Sequence, residues 1–137
     1  MKVAFVSCVK TKADRPTSAK NLYISPWFKL ARFWAERNAD EWYVLSAEHG
    51  VLHPDDWAVP YEKTLNSMPL IARRIWADEI DREIQKRGIR GDTAVLLAGV
   101  RYRQFVHGHL LQYFGAVEVP MFGLTMGRQL SWLAERT

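Results

Sequence analysis

The sequence holds a single cysteine, Cys8, so no intrachain disulfide staples the fold and a reducing, cytoplasmic setting is expected. No apolar run is long enough to cross a bilayer, and the opening MKVAFVS is too short and too early for a signal peptide's apolar region, so no membrane partner is expected. Repeats, low-complexity tracts and linkers are missing too. The 137 residues are therefore expected to form one domain, 1–137, long enough to bury a real core. Excess charge of one sign is small: 19 Lys and Arg against 15 Asp and Glu leave +4, a mild attraction for polyanions that many unrelated proteins share. Six Trp and six Phe supply large packing units, and a 48% hydrophobic content excludes a disordered chain.

Where the charges fall says more than their sum. Lys10, Lys12, Arg15 and Lys20 cluster with only Asp14 among them, whereas Arg73, Arg74, Arg82, Lys86 and Arg87 alternate with Asp78, Glu79, Asp81 and Glu83 as on a solvated helix face. Lys2 to Ser7 reads as a strand and 8–21 as a polar loop. Ser25-Pro26 then caps a helix whose Trp27, Leu30, Ala31 and Trp34 recur at helical spacing to Asn38. Trp42 to Leu45 is the second strand. A helix follows from Asn66, Ser67 and Pro69, with Ala72, Trp76, Ile80 and Ile84 four apart and Gly88 at its end. Thr93 to Ala98 is apolar throughout, as a strand covered on both faces must be. Tyr102, Phe105, Val106, His109, Leu110 and Tyr113 trace one helical stripe to Gly115. Val117 to Phe122 is the fourth strand, placed near an edge by Pro120, and a last helix over 125–136 buries Met126, Leu130 and Leu133. The order β-α-β-α-β-α-β-α predicts an α/β domain with a mainly parallel four-stranded sheet and helices on both faces.

In such a sheet ligands bind beyond the carboxyl ends of the strands. The segments leaving the four strands are SCVKTK, SAEHG, GVRYR and FGLTMGRQ. Small residues let backbone approach a ligand, and three of the four segments carry basic side chains, which suits an anionic or heterocyclic ligand. Lys10 and Lys12 reach one phosphate if their loop curls; otherwise they are surface lysines. Thr125-Met126-Gly127 opens the last helix with free N–H groups beside Arg128 and Gln129, a phosphate seat that any capped helix also offers. Arg101, Tyr102 and Arg103 combine cations with a stacking surface, although Tyr102 also fits the core stripe.

The histidines do not make a metal centre. His49 and His53 flank Val51-Leu52 in a proline-containing loop, His107 and His109 diverge on a helix, and no cysteine pair accompanies them. Cys8 beside Lys10 is either an activated thiol or simple packing. Glu48, Asp55, Asp56 and Tyr61 all fall in the stretch VLSAEHGVLHPDDWAVPY. There a carboxylate has the chemistry to orient water or balance an oxocarbenium-like transition state, and Tyr61 to donate to a ring substituent. Asp55-Asp56 after Pro54 also reads as turn chemistry. Glu48, immediately after the strand, is the stronger carboxylate.

The blocks S-C-x-K-x-K, N-L-Y-x-S-P-W-F-K, L-S-A-E-H-G-V-L-x-P-D, P-Y-E-K-T-L, L-L-A-G-x-x-Y and P-x-F-G-L-x-M-G together resemble, over essentially the whole chain, a bacterial and phage family of uncharacterised small domains. Two of them, L-S-A-E-H-G-V-L-H-P with P-Y and S-C-V-K-T, are similar to the L-S-G-L-Y-G-V-L-R-P with P-Y and S-P-A-K-T blocks of the longer YaaA peroxide-stress proteins, which bind DNA. A more distant likeness is to the domain attached to archaeosine tRNA-modifying enzymes, itself similar to the uracil-DNA glycosylase fold. These resemblances imply a glycosylase-like α/β fold associated with nucleic acid or modified bases. They raise Ser7, Lys10, Ser46, Gly50 and Tyr61, which lie on shared blocks. Glu48-His49 stands where the YaaA-type block has Leu-Tyr, so no role for Glu48 follows from that family, and Cys8 replaces its proline.

The expected function is an enzyme directed at nucleic acid, DNA foremost, or at nucleotides, cleaving the N-glycosidic bond of a modified base without cofactor or metal. Glu48, His49, Asp55 and Tyr61 are its candidate catalytic residues. Ser7, Cys8, Lys10, Lys12, Ser46, Gly50, Gly99, Arg101, Tyr102, Gly127 and Gln129 are its candidate substrate contacts. In this scheme Lys10, Lys12 and the last helix hold phosphate, Tyr102 or His49 meets the base, and Glu48 or an aspartate assists water. A base within a duplex must first be flipped out. The rivals are a DNA- or RNA-binding module, which needs the same basic rim but no carboxylate in the pocket, and a small-molecule enzyme acting on free nucleotides.

Overall fold

The computed structural model describes residues 1–137. Strand β1 (Lys2–Ser7) has Val3 to Val6 fully buried, which places it inside the sheet. The loop after it contains the two-residue β2 (Thr17–Ser18) and the single-turn α1 (Ala19–Leu22). Helix α2 (Pro26–Asn38) starts as its sequence requires: Ser25 Oγ accepts from the Phe28 N–H at 3.2 Å, and Pro26 takes the first helical position, where no N–H is needed.

Strand β3 (Glu41–Ser46) leads through a tight hairpin to β4 (Gly50–Leu52), then to β5 (Trp57–Ala58), which pairs with β2 as a separate ribbon. A 3-10 turn (Leu65–Ser67) precedes α3 (Leu70–Arg87), which Gly88 terminates at φ 68°, its N–H returning to the Ile84 and Gln85 carbonyls. Strand β6 (Gly91–Leu97) follows, then α4 (Val100–Arg103), α5 (Val106–Leu110), β7 (Phe114–Glu118) and α6 (Met126–Glu135).

The main sheet has five strands in the order β4-β3-β1-β6-β7, all parallel except β4 at one edge. The chain moves one way from β1 to β3 and the other way from β3 to β6 and β7. Right-handed crossovers then require helices on opposite faces, and α2 packs with α6 while α3 packs with α5. Trp34 against Trp132, 5.6 Å between centroids, joins α2 to α6. Phe5 meets Tyr43 and Phe114 within the sheet layer, each at 6.0 Å. Phe5, fully buried between them, contributes ~1.5–3 kcal/mol.

The single α/β domain with helices on both faces is as expected; the details differ in four places. The sheet has a fifth, antiparallel strand inside the stretch expected to be loop. The third helix breaks into two at Gln104-Phe105, though Tyr102, Val106 and Leu110 keep its buried stripe. The last parallel strand begins at Phe114, and Pro120 falls in the turn after it. Met126 is 59% exposed, leaving Leu133 as the buried anchor of α6.

Candidate functional site

Strand order fixes where a ligand fits. β1 and β6 are neighbours whose chains depart in opposite directions, so a crevice opens beyond their carboxyl ends. A hollow of about 280 Å³ lies there. Ser7, Cys8, Val9 and Lys10 line it from the end of β1, Gly99 and Tyr102 from the start of α4, Met126 and Gln129 from α6, Trp27 from α2, and Asn66 from the 3-10 turn. Segments leaving three of the four parallel strands thus meet; the fourth, SAEHG after β3, is expected on the same rim but contributes no residue to the lining.

Each wall is held from behind. Trp27 is 6% exposed, and its indole Nε1 donates to Gln129 Oε1 at 2.9 Å. Gln129 Nε2 donates in turn to the Leu124 carbonyl at 3.0 Å, so this amide positions Trp27 and has little left for a ligand. The Tyr102 hydroxyl accepts from the Leu65 N–H at 3.3 Å and from the Cys8 thiol at 3.4 Å, and its ring meets Trp76 edge-on at 5.8 Å. Burial keeps that phenol's pKa above the ordinary value, so it stays neutral. Arg101 does not line the hollow; its guanidinium donates to the Asn66 carbonyl at 3.1 Å and braces that residue.

Three polar groups remain available. Ser7 as a residue is 5% exposed, and its hydroxyl, which makes no hydrogen bond within the chain, opens into the hollow. The Asn66 side-chain amide and the Lys10 ammonium are exposed and likewise unpaired. Ser7 is the deepest of the three, its hydroxyl open to the hollow and free to meet a ligand or water. No carboxylate lines the hollow.

A second polar cluster stands behind Cys8. The Ala47 N–H donates to Cys8 Sγ at 3.4 Å, Ser46 Oγ donates to the Tyr61 hydroxyl at 2.8 Å, and that hydroxyl shares a 2.7 Å bond with Tyr23. The His49 N–H returns to Ser46 Oγ at 2.9 Å. Burial raises the pKa of both Tyr61 and Tyr23, so these phenols are neutral structural links. Lys12 Nζ lies 4.3 Å from the Tyr61 ring centroid, and burial there lowers its pKa against the opposing pull of Cys8 and Glu62. Lys12 therefore covers the tyrosines and donates to the Lys10 carbonyl at 3.2 Å, leaving Lys10 as the hollow's cation.

The carboxylates expected to act on water lie elsewhere. Glu48 sits exposed at the β3–β4 hairpin and contributes nothing to the hollow's lining. Because β4 runs antiparallel to β3, the chain returns to the amino end of the sheet. Asp55 is found there, pairing with Lys20 Nζ at 2.7 Å, a hydrogen bond that holds its pKa below the ordinary value. Asp56 pairs with Arg87 at 3.4 Å. A hollow of similar size beside Asp55 has two hydrophobic residues among nine, against five among ten at the carboxyl edge, and offers a ring little apolar surface.

His49 packs edge-on to Tyr61 and its Nε2 donates to the Val59 carbonyl at 3.0 Å, outside the hollow. Gly50, at φ 76°, is the hairpin's left-handed residue; a Cβ there would meet Glu83 Oε2 at 1.9 Å. Gly127 is exposed in the first turn of α6, one residue past Met126 on the rim. Trp27 and Asn66 are not among the candidate contacts of the sequence, while Met126, part of the Thr125-Met126-Gly127 seat, lines the hollow. The helical stripe of α2 accounts for Trp27, and Asn66 fits a helix start, so neither residue carries a ligand signal of its own in the sequence.

Fold and hollow together define a small single-domain α/β protein with its ligand crevice at a topological switch point. The chain belongs to a family of unknown function, DUF6884, whose profile matches residues 3–135. It is similar to the uncharacterized protein YfjM of Bacillus subtilis strain 168, 34% identical over 95 residues that make up 67% of this chain and 61% of YfjM. The match thus spans somewhat less than two thirds of that relative. No solved structure matches. These matches lend no weight to a YaaA-like or uracil-DNA-glycosylase-like relationship.

Proposed function

We propose that this protein is a nucleic-acid-binding module that seats one unstacked nucleotide in the hollow between β1 and β6. The observation that carries the proposal is the Ser7 hydroxyl, which makes no hydrogen bond within the chain and opens into a crevice with aromatic walls. Trp27 and Tyr102 supply apolar surface for a ring, Asn66 supplies an unpaired amide for a base edge, and Lys10 supplies a phosphate cation. The volume of about 280 Å³ is at the small end of ligand pockets and suits a single base. The first turn of α6 carries no acidic residue, and its N–H groups with Arg128 add a second phosphate contact. The motif likeness to YaaA-type and archaeosine-associated blocks points to the same ligand class.

Cleavage of an N-glycosidic bond in the way expected from the sequence places a carboxylate, Glu48 or an aspartate, beside the attacking water. With Glu48 and Asp55 outside the hollow, binding without bond cleavage is the reading we adopt. Fluorescence anisotropy with labelled DNA and RNA oligonucleotides, with chromatography for free base, tests it. The expected result is binding that weakens as salt rises, falls on Lys10→Glu, and releases no base. Released base would restore the enzymatic reading; absence of any binding would remove both.

A further inference from the structure

Outside the hollow, the most exposed phenylalanine in the molecule is Phe122, at 71%. It does not belong to a loose segment. Phe122 sits in a turn closed by its own N–H to the Val119 carbonyl at 3.0 Å and by the Leu124 N–H to the Met121 carbonyl at 3.1 Å. The turn is anchored by Met121, 5% exposed, and Gly123 takes the left-handed φ of 79° that the bend requires. An anchored turn that presents a large ring to water does not serve the core.

The Arg103 guanidinium lies 5.2 Å from the Phe122 ring centroid. Arg103 follows Tyr102, and Phe122 precedes Met126 by four residues, so the pair is tied to two walls of the hollow. Four residues span at most ~14 Å, about the length of four stacked nucleotides. Val100 and Met126, 57% and 59% exposed, add apolar surface on the same elements. Lys10, Arg101 and Arg128 are exposed nearby in the fold, and none of them has a salt-bridge partner. An exposed aromatic ring with the Arg103 guanidinium against it, and Lys10 at the hollow, fits a ligand that carries both phosphates and flat bases.

We infer that Phe122 and Arg103 form a stacking platform for a base within about four positions of the one in the hollow, which makes single-stranded nucleic acid, rather than a free nucleotide or a duplex, the partner. This rests on the nucleotide reading of the hollow. One phenyl face stacks on the base while the guanidinium at the ring supplies positive charge to the adjoining phosphate.

The test measures anisotropy of labelled twelve-residue oligothymidylate and oligouridylate, with a mononucleotide titrated separately, on wild type, Phe122→Ala, Phe122→Trp and Trp27→Ala. Phe122→Ala is expected to weaken both oligonucleotides about tenfold, the effect of losing one base stack, and to leave mononucleotide affinity unchanged. Phe122→Trp should retain binding. Weakening of only one oligonucleotide would assign the platform to that sugar. Oligonucleotide binding that is sensitive to Trp27→Ala but indifferent to Phe122→Ala would overturn the platform and leave the hollow standing. Wild-type protein that binds neither oligonucleotide, or that prefers duplex, would overturn it as well. Thermal unfolding of Phe122→Ala should match wild type, since the ring is exposed.

Discussion

Trp27 and Gln129, 102 positions apart in the chain, meet through a 2.9 Å hydrogen bond from the indole to the side-chain amide. That bond ties the first turn of α2 to the first turn of α6 and sets the wall of the hollow. Gln129→Leu leaves the buried indole N–H unpaired and should cost ~1–3 kcal/mol in a urea unfolding experiment. Adding Trp27→Phe should recover part of that loss, because the second change removes the orphaned donor.

The Ser7 hydroxyl separates binding from stability. With no partner in the folded chain, Ser7→Ala should change unfolding free energy by less than ~0.5 kcal/mol. The same change should weaken nucleotide binding several-fold, the share of one hydrogen bond of ~1 kcal/mol. Equal affinity for wild type and Ser7→Ala, measured by calorimetry, would free the hollow of its most specific contact.

Gly50 is structural. Its left-handed backbone and the 1.9 Å approach of a notional Cβ to the Glu83 carboxylate predict that Gly50→Ala destabilises by ~2 kcal/mol or more. Glu83 accepts from the Val51 N–H at 3.1 Å, which limits how far it can yield. Glu83→Ala in the Gly50→Ala background should remove the clash and leave only the backbone strain, so the two changes are non-additive in thermal unfolding.

Tyr113, in the turn between α5 and β7, donates to Asp81 on α3, and that hydrogen bond pushes the phenol up to about 12. A group whose folded pKa exceeds its unfolded one adds stability that is fully present below the unfolded value. This contribution is therefore intact below pH ~10 and lost as pH rises toward 12. Ultraviolet titration of the tyrosines should show Asp81→Asn moving one phenol back toward its ordinary pKa.

Much of the frame was legible because it rests on long periodic segments: β1, α2 with its Ser25-Pro26 start, α3 with its Gly88 end, and β6. The βα order led Lys10, Glu48, Arg101 and Gly127 to be expected around one hollow; of these Lys10 lines it and Gly127 lies next to the lining Met126, whereas Glu48 and Arg101 are not part of the lining. The stretch from Val44 to Tyr61 was misread because β4 is three residues long, too short for periodicity to reveal. Without that strand the chain's return to the amino edge is invisible, and Glu48 and Asp55 look like neighbours of the site. Trp27 was hidden for a different reason: helical spacing explains a buried tryptophan so well that nothing marks the edge it turns toward a cavity.

The most direct measurement is a structure of the protein bound to trithymidylate. The account predicts one base in the hollow between Trp27 and Tyr102, within hydrogen-bond reach of Ser7 Oγ. An empty hollow, with the ligand against Glu41 and Asp55 at the opposite edge of the sheet, would contradict it.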